Sequence, residues 1–346
     1  MKTKIYTYNF TSNYGALLQA FELGNYIRSI TDSEVSFSNY HPIRYRYYEF
    51  LRPMVTKKSK KFFGHLKKNY KILLWRIKNK KNLKFLPDNS LDKDEYSIYG
   101  SDEIWNFLNP YYGFSEYFFG KDDNKKKIAY AVSIGKATYE DLDNFQKDKI
   151  RQHLKKFHSI SVRDDNTANF VNRLIGVNPE IVVDPTLLSN SNIFNNENFN
   201  FKKDFVLVYG SNFSLNEQQK IIEFSKKKNL DVVSVGYFNS WISNNKLGLN
   251  PSEFFEYIKN SKFVFTSMFH GIILSIKSNT NFWYTLDPIR KFKVSYIISK
   301  FNLDKRLILE MNKHDENIDF DKINPSLREW VQKSQNFLKN AFDSKK

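Results

Sequence analysis

The residues best suited to chemistry stand where apolar runs give way to short polar segments. His270 lies in Thr266-Ser267-Met268-Phe269-His270-Gly271, directly after the β-type run Phe263-Val264-Phe265 and at the start of an apolar helical stretch. An imidazole titrates near neutrality and suits proton transfer, while a helix start offers N–H groups and a dipole that favour an anion. Arg163 closes a third strand in Ser161-Val162-Arg163-Asp164, where a guanidinium is ready to pair with an anion. Asp102, Trp105 and Asn106 occur in Gly100-Ser101-Asp102-Glu103-Ile104-Trp105-Asn106, after the β-type run 96–100. Polar groups at the carboxyl end of a strand are where open α/β sheets bind ligands. Tyr130-Ala131-Val132-Ser133-Ile134-Gly135 ends another strand in small residues, which suits close approach of a ligand. Each segment also has a structural reading: Asp102 or Asp164 as a helix cap, Arg163 as an internal ion pair, Trp105 as core. His41, His65, His153, His158 and His314 lack comparable surroundings, no metal-ligand spacing appears, and no metal is expected.

Strands must alternate with helices to place those segments at sheet ends. Ile5–Tyr8 reads as a strand, Asn13-Tyr14-Gly15-Ala16 turns into a helix reaching about residue 30, and 35–40 is a second strand. Further β-type runs at 96–100, 127–133, 159–162 and 180–184 leave room for helices at about 140–156 and 164–174. Residues 189–203, rich in Asn and Ser without periodicity, read as a linker. The alternation resumes with Phe205-Val206-Leu207-Val208-Tyr209, a helix at about 215–228, a strand at 232–235, and a helix opened by Pro251. Such a βα pattern favours parallel sheets with helices on both faces. The expected class is therefore α/β, with two Rossmann-like halves at 1–190 and 204–346. A final amphipathic helix carrying Leu327, Trp330, Val331, Phe337 and Leu338 is able to pack back on the first half.

The 346 residues carry 54 Lys+Arg against 37 Asp+Glu, a formal charge of +17, and no cysteine. Thiolate catalysis, disulfides and cysteine-ligated metals are thereby excluded. An apolar content of 41% allows a sizeable core rather than disorder. Twelve of the basic residues, and no acidic one, fall within 57–84. There Phe62, Phe63, Leu66, Tyr70, Leu73, Leu74 and Ile77 make one helical stripe, so a basic helix is expected over about 59–81, as part of the first domain. It is either a helix packed on the core with a solvated basic face, or a surface for an anionic membrane. Nucleic acid is not expected, because no recognition motif accompanies the charge. The first ten residues do not form a signal peptide and no run of about 18 apolar residues exists, so the expected location is cytoplasmic, or peripheral at the inner membrane face.

Taken together, Asn13-Tyr14-Gly15-Ala16, the segment 100–106, Ser161-Val162-Arg163-Asp164, Asp184-Pro185-Thr186-Leu187-Leu188 and Phe269-His270-Gly271 resemble the polysaccharide pyruvyl transferase family in order and spacing, from about residue 3 to about 310. The resemblance implies two domains similar to the B-type glycosyltransferase fold with the active site in the cleft between them. It also implies transfer of an enolpyruvyl unit from phosphoenolpyruvate to a sugar of a polysaccharide precursor, closing a ketal, with no cofactor beyond that donor. The acceptor is then a glycan or a lipid-linked saccharide. In this reading Arg163 pairs with a donor anion, and His270 serves proton transfer or phosphate departure. Asp102 is the base or partner for acceptor hydroxyls, Trp105 stacks on the sugar, and Asn13, Asn106 and Gly271 join the substrate-binding set. Met268 stands where some members carry an arginine, which shifts donor binding toward Lys293 and Arg290. Two other readings are a nucleotide-sugar glycosyltransferase of the same fold and a non-catalytic scaffold at a membrane surface.

Overall fold

The computed structural model describes residues 1–47, 59–79, 95–121, 124–189, 201, 203–286, 291–314 and 317–343. Most of the linker expected at 189–203 lies outside the described residues. The chain divides into two units, one of Met1–Glu49, Asn79–Ser189 and Ser326–Lys346, the other of Phe50–Lys78 and Asn190–Pro325.

Setting aside α3 (Ser59–Lys78), which falls in the second unit, the first unit is built on β1 (Lys2–Tyr6), α1 (Tyr14–Ile30), β2 (Glu34–Phe37) and the short α2 (Ile43–Arg46). It continues with β3 (Tyr96–Tyr99), β4 (Lys126–Val132), α4 (Asn144–Leu154), β5 (Ser159–Val162), α5 (Asp165–Ile175) and β6 (Glu180–Ile181). Among the described residues six strands pair in parallel in the order β2-β1-β3-β4-β5-β6. Parallel strands covered on both faces need apolar side chains on both, and β4 is buried along nearly its whole length. The helices start where the sequence offers caps. Asn13 Oδ1 accepts from Gly15 N at 3.0 Å before α1, and Asp164 Oδ1 accepts from Thr167 N at 2.8 Å before α5.

The second unit runs β7 (Phe205–Tyr209), α6 (Leu215–Lys227), β8 (Asp231–Val235), β9 (Asn244–Lys246), α7 (Pro251–Asn260), β10 (Phe263–Thr266), α8 (Phe269–Lys277), β11 (Asn281–Tyr284) and α9 (Lys291–Lys300). Its five strands are parallel in the order β11-β10-β7-β8-β9. The α/β class with two parallel sheets is thus present. A last helix, α10 (Phe320–Asp343), belongs to the first unit from Ser326 onward. There Trp330 Nε1 donates to the Ile181 carbonyl at 2.9 Å and Ser334 Oγ accepts from Val183 N at 3.0 Å.

The basic helix α3 falls in the second unit rather than in the amino-terminal domain where the sequence reading drew it. Its inward face is Gly64, Lys68, Ile72 and Trp75: Trp75 Nε1 donates to Ser252 Oγ at 3.0 Å, Lys71 pairs with Glu253, and a Cβ on Gly64 would overlap Leu247. Most of the apolar stripe points the other way. Phe63 is 70% exposed, Tyr70 61%, and Leu66, Leu73, Leu74 and Ile77 are exposed beside them. At 100° per residue those six side chains span one side of the helix, nearly opposite Ile72 and Trp75. Periodicity had marked a shared face correctly, but that face is not the one the protein buries.

Candidate functional site

In the first unit the strand ends converge on one guanidinium. After β3 the chain turns sharply at Gly100, whose φ of 126° is open to glycine and where a Cβ would overlap the Tyr130 carbonyl oxygen. Asp102 follows with φ 80° and bridges to Val132 at the end of β4. Its Oδ1 accepts from Glu103 N at 2.8 Å and lies 3.5 Å from Arg163 Nη2. Arg163 comes directly after β5, its own N–H donating to the Val132 carbonyl at 3.0 Å, and its Nη1 meets Asp184 Oδ2 at 3.2 Å. The arginine side chain is 2% exposed and that of Asp184 0%. Asp184 also accepts from Thr186 N and Oγ1 at 3.0 and 2.8 Å. Asp164 accepts from Ser133 Oγ at 2.6 Å and from Thr167 Oγ1 at 2.6 Å. Burial pushes the Asp164 carboxyl above its ordinary range, against the pull of those hydrogen bonds.

This geometry revises several expectations. Arg163 does not present an open cation to a ligand; two carboxylates already claim it inside the unit, and the internal ion pair is the form it takes. Asp102 and Arg163 are brought together, with Asp184 as a third member that the sequence had offered only as part of a motif. Trp105 is fully buried, donates Nε1 to the Phe118 carbonyl at 2.8 Å and stacks on Phe119 at 5.3 Å, so it belongs to the core rather than to a sugar platform. Asn106 closes its own turn, donating to Glu103 Oε2 at 3.0 Å and accepting from Leu108 N at 3.1 Å, and Asn13 serves as the cap of α1.

A different aromatic surface lies near Asp102. Tyr8, two residues past β1, donates to the Glu103 carbonyl at 2.9 Å and stacks on Tyr112 with centroids 4.7 Å apart. Tyr40, three residues past β2, stacks on Tyr117 at 4.0 Å. Burial pushes the Tyr8 phenol well above its usual range, with Tyr112 and Asp102 adding to the shift. Tyr8, Tyr40, Tyr112 and Tyr117 are partly buried and packed against the first unit's core. The available signal was a tyrosine just beyond each of two strand ends.

In the second unit β10 ends at Thr266, whose Oγ1 donates to the Tyr209 carbonyl at 2.7 Å and accepts from Met268 N at 3.0 Å. Ser267 Oγ donates to the Ser211 carbonyl at 2.9 Å. A Cβ on Gly271 would overlap the Thr266 side chain, so this glycine lets α8 press onto the strand end; its role here is packing. His270 is the second residue of α8 and 6% exposed. Met268 occupies the cap position and supplies no side-chain acceptor to the first turn. Lys293 sits in the first turn of α9 with its side chain outside the described residues, and Arg290 lies outside them altogether. Among the described residues no cluster of three or more His, Asp or Glu is arranged to hold a metal.

No curated protein matches the chain by sequence. Among solved structures it is similar to MnaA from S. aureus, solved with UDP, at 10% identity over 94% of this chain and 95% of that one, with a TM-score of 0.44. UDP-GlcNAc 2-epimerase from Methanocaldococcus jannaschii gives 11% identity, 97% and 94% coverage and a TM-score of 0.45. The ADP-heptose lps heptosyltransferase II of E. coli gives 11% identity, 95% and 99% coverage and a TM-score of 0.36. Likenesses at this level say nothing about chemistry. The family comparison is of another kind, because the model for polysaccharide pyruvyl transferases matches residues 13–285, from the cap of α1 through the His270 junction to the end of β11. Covering well over half the sequence, that match establishes that the chain belongs to the polysaccharide pyruvyl transferase family and is a transferase.

Proposed function

We propose that the chain moves an enolpyruvyl unit from phosphoenolpyruvate to two hydroxyls of a sugar in a cell-surface polysaccharide precursor. The observation that carries this reading is the family match with His270 in the first turn of a helix whose cap residue supplies no side-chain acceptor. In the reaction the donor's methylene carbon takes a proton, its central carbon is attacked by one hydroxyl and then the second, and the bond from that carbon to the phosphate oxygen breaks. Of the two hydroxyl protons, the balance puts one on the new methyl group and one on the departing phosphate. The N–H groups and dipole of the first turn of α8 suit the donor's negative charge. His270 is the group we assign to protonation of the methylene or assistance to phosphate departure. Asp102 is the carboxylate we assign to the acceptor hydroxyls, with Arg163 as its positioning residue. Tyr8, Tyr40 and Tyr112 replace Trp105 as the aromatic surface for the sugar.

Incubation with phosphoenolpyruvate and glycan acceptors, following inorganic phosphate and the ketal methyl signal by NMR, is expected to show both products in equal amounts. Absence of phosphate release with every acceptor, together with absence of donor binding, overturns the reading. Thermal stabilisation by a nucleoside diphosphate and not by phosphoenolpyruvate turns it toward glycosyl transfer.

The exposed stripe of α3 gives the acceptor a setting. Among the described residues no helix is long and apolar enough to cross a membrane. Yet α3 pairs its outward apolar side chains with bordering lysines, Lys67 and Lys78, as a helix lying in an anionic leaflet does. Peripheral seating beside a lipid-linked acceptor follows as part of the proposal. Flotation with vesicles containing phosphatidylglycerol is expected to recover the protein, and Phe63→Ser/Leu73→Ser to lower that recovery several-fold; equal recovery of the variant removes the membrane role of the stripe.

A further inference from the structure

The second unit contains a cavity of about 600 Å³ between α3 and the chain from the end of β8 through β9 to Leu249. That volume lies within the range of small-molecule sites. Three cations line it: Lys67 and Lys71 from α3, and Lys246 from the edge strand β9. Among the described residues no carboxylate lines it, although Lys71 also pairs with Glu253 outside the lining. Ser240, Ser243 and Phe238 are also in the wall. Two glycines make the cavity's seam, since a Cβ on Gly64 would overlap Leu247 and one on Gly248 would crowd the stem of Lys67. The helix therefore lies close against the β9 segment, and the stem of Lys67 runs along that seam.

We infer that this cavity binds a phosphate-bearing saccharide, with the phosphate on Lys67 and Lys246, beside a Lys71 already tied to Glu253, and the sugar against Phe238 and the two serines. Cations gathered without an acidic neighbour in the wall select an anion. Hydroxyls beside an aromatic ring suit a sugar, whose polar edge and apolar face need both. The inference goes beyond the transferase reading and does not depend on it, because the reacting sugar is assigned above to Asp102 and the tyrosines of the first unit, none of which lines this cavity. The cavity shares no lining residue with the His270 junction, so its ligand and the donor do not compete for one set of groups.

Binding is measured by calorimetry without turnover, which separates failure of this inference from failure of the proposed reaction. Glucose 1-phosphate is the soluble probe and unphosphorylated glucose its control. Phosphatidylcholine vesicles carrying a glucosylated polyprenyl phosphate are the lipid probe, compared with vesicles of equal charge made with phosphatidylglycerol. Lys67→Met/Lys246→Met keeps the aliphatic stems while removing two charges. Lys246→Met alone tests a residue off the membrane-facing stripe. The expected result is that affinity for whichever phosphate probe binds falls at least about tenfold in the double variant, that the single variant moves in the same direction, and that phosphoenolpyruvate binding is unchanged. Binding of the soluble probe identifies a free sugar phosphate as a sufficient ligand; preference for the glucosylated polyprenyl phosphate vesicles alone identifies a lipid source. Binding of neither probe, equal affinity in parent and double variant, or equal binding of glucose with and without its phosphate overturns the inference.

Discussion

Replacing His270 by glutamine is expected to lower kcat for phosphate release from phosphoenolpyruvate by about 10²–10⁴-fold, the range of a single general acid or base, while the melting temperature stays close to that of the parent. The argument begins with position. His270 is largely buried in the first turn of α8, a helix pressed onto the end of β10 through Gly271, so its imidazole is held rather than mobile. Glutamine nearly matches its volume and keeps hydrogen-bonding capacity, but cannot exchange a proton near neutrality. The helix backbone remains, so binding of the donor anion by the first turn is retained and KM for phosphoenolpyruvate changes little. A KM increase with kcat preserved would instead make the imidazole a binding group, and full activity in His270→Gln would remove the mechanism. Turnover in D2O adds a second readout, because the new ketal methyl then carries one solvent-derived deuterium.

The regular elements were legible because each has its own period. Strands 159–162 and 205–209 and the helix opened by Pro251 fall where alternation and capping place them. Elements without such a signal were missed. Strand β9 is Asn-Asn-Lys, a polar edge of three residues, and β11 is a run of four whose polar turn, Ser278-Asn279-Thr280, is the one mark setting it apart from the helix before it. The site was legible in its segments and not in its contacts. Arg163, Asp102 and Asp184 are separated by 61 and 21 positions, and only the parallel pairing of β3, β4 and β5 brings them to one place. Asp102 and Trp105, three positions apart, have opposite fates, the first at a bridge between strand ends and the second in the core. Similarly, the period of α3 shows which residues share a side, but the contacts of Trp75 and Lys71 decide which side is inward.

Arg163→Ala is expected to destabilise the first unit by roughly 3–5 kcal/mol, the cost of leaving a buried ionic partner uncompensated, seen as a fall in melting temperature on the order of 10 °C. The substitution leaves Asp102 and Asp184 facing each other across the space of the lost guanidinium, with Asp184 fully buried and thus unable to recover hydration. Its remaining hydrogen bonds from Thr186 satisfy one oxygen, Oδ1, and leave the other without the arginine. Arg163→Lys keeps a charge but not the fork that reaches two carboxylates at once, so an intermediate loss is expected. A companion variant guards against a chain that fails to fold: Asp184→Asn keeps the shape and removes one charge, and a double-mutant cycle with Arg163→Lys is expected to show coupling between the two sites. The measurement that decides is urea unfolding of the parent and the four variants, alongside KM for phosphoenolpyruvate. Unchanged midpoints with a KM raised tenfold or more would return Arg163 to the donor, as the resemblance first implied. Lowered midpoints with an unchanged donor KM make it the tie that fixes Asp102 at the carboxyl end of β3, and the anion-binding work then belongs to the second unit.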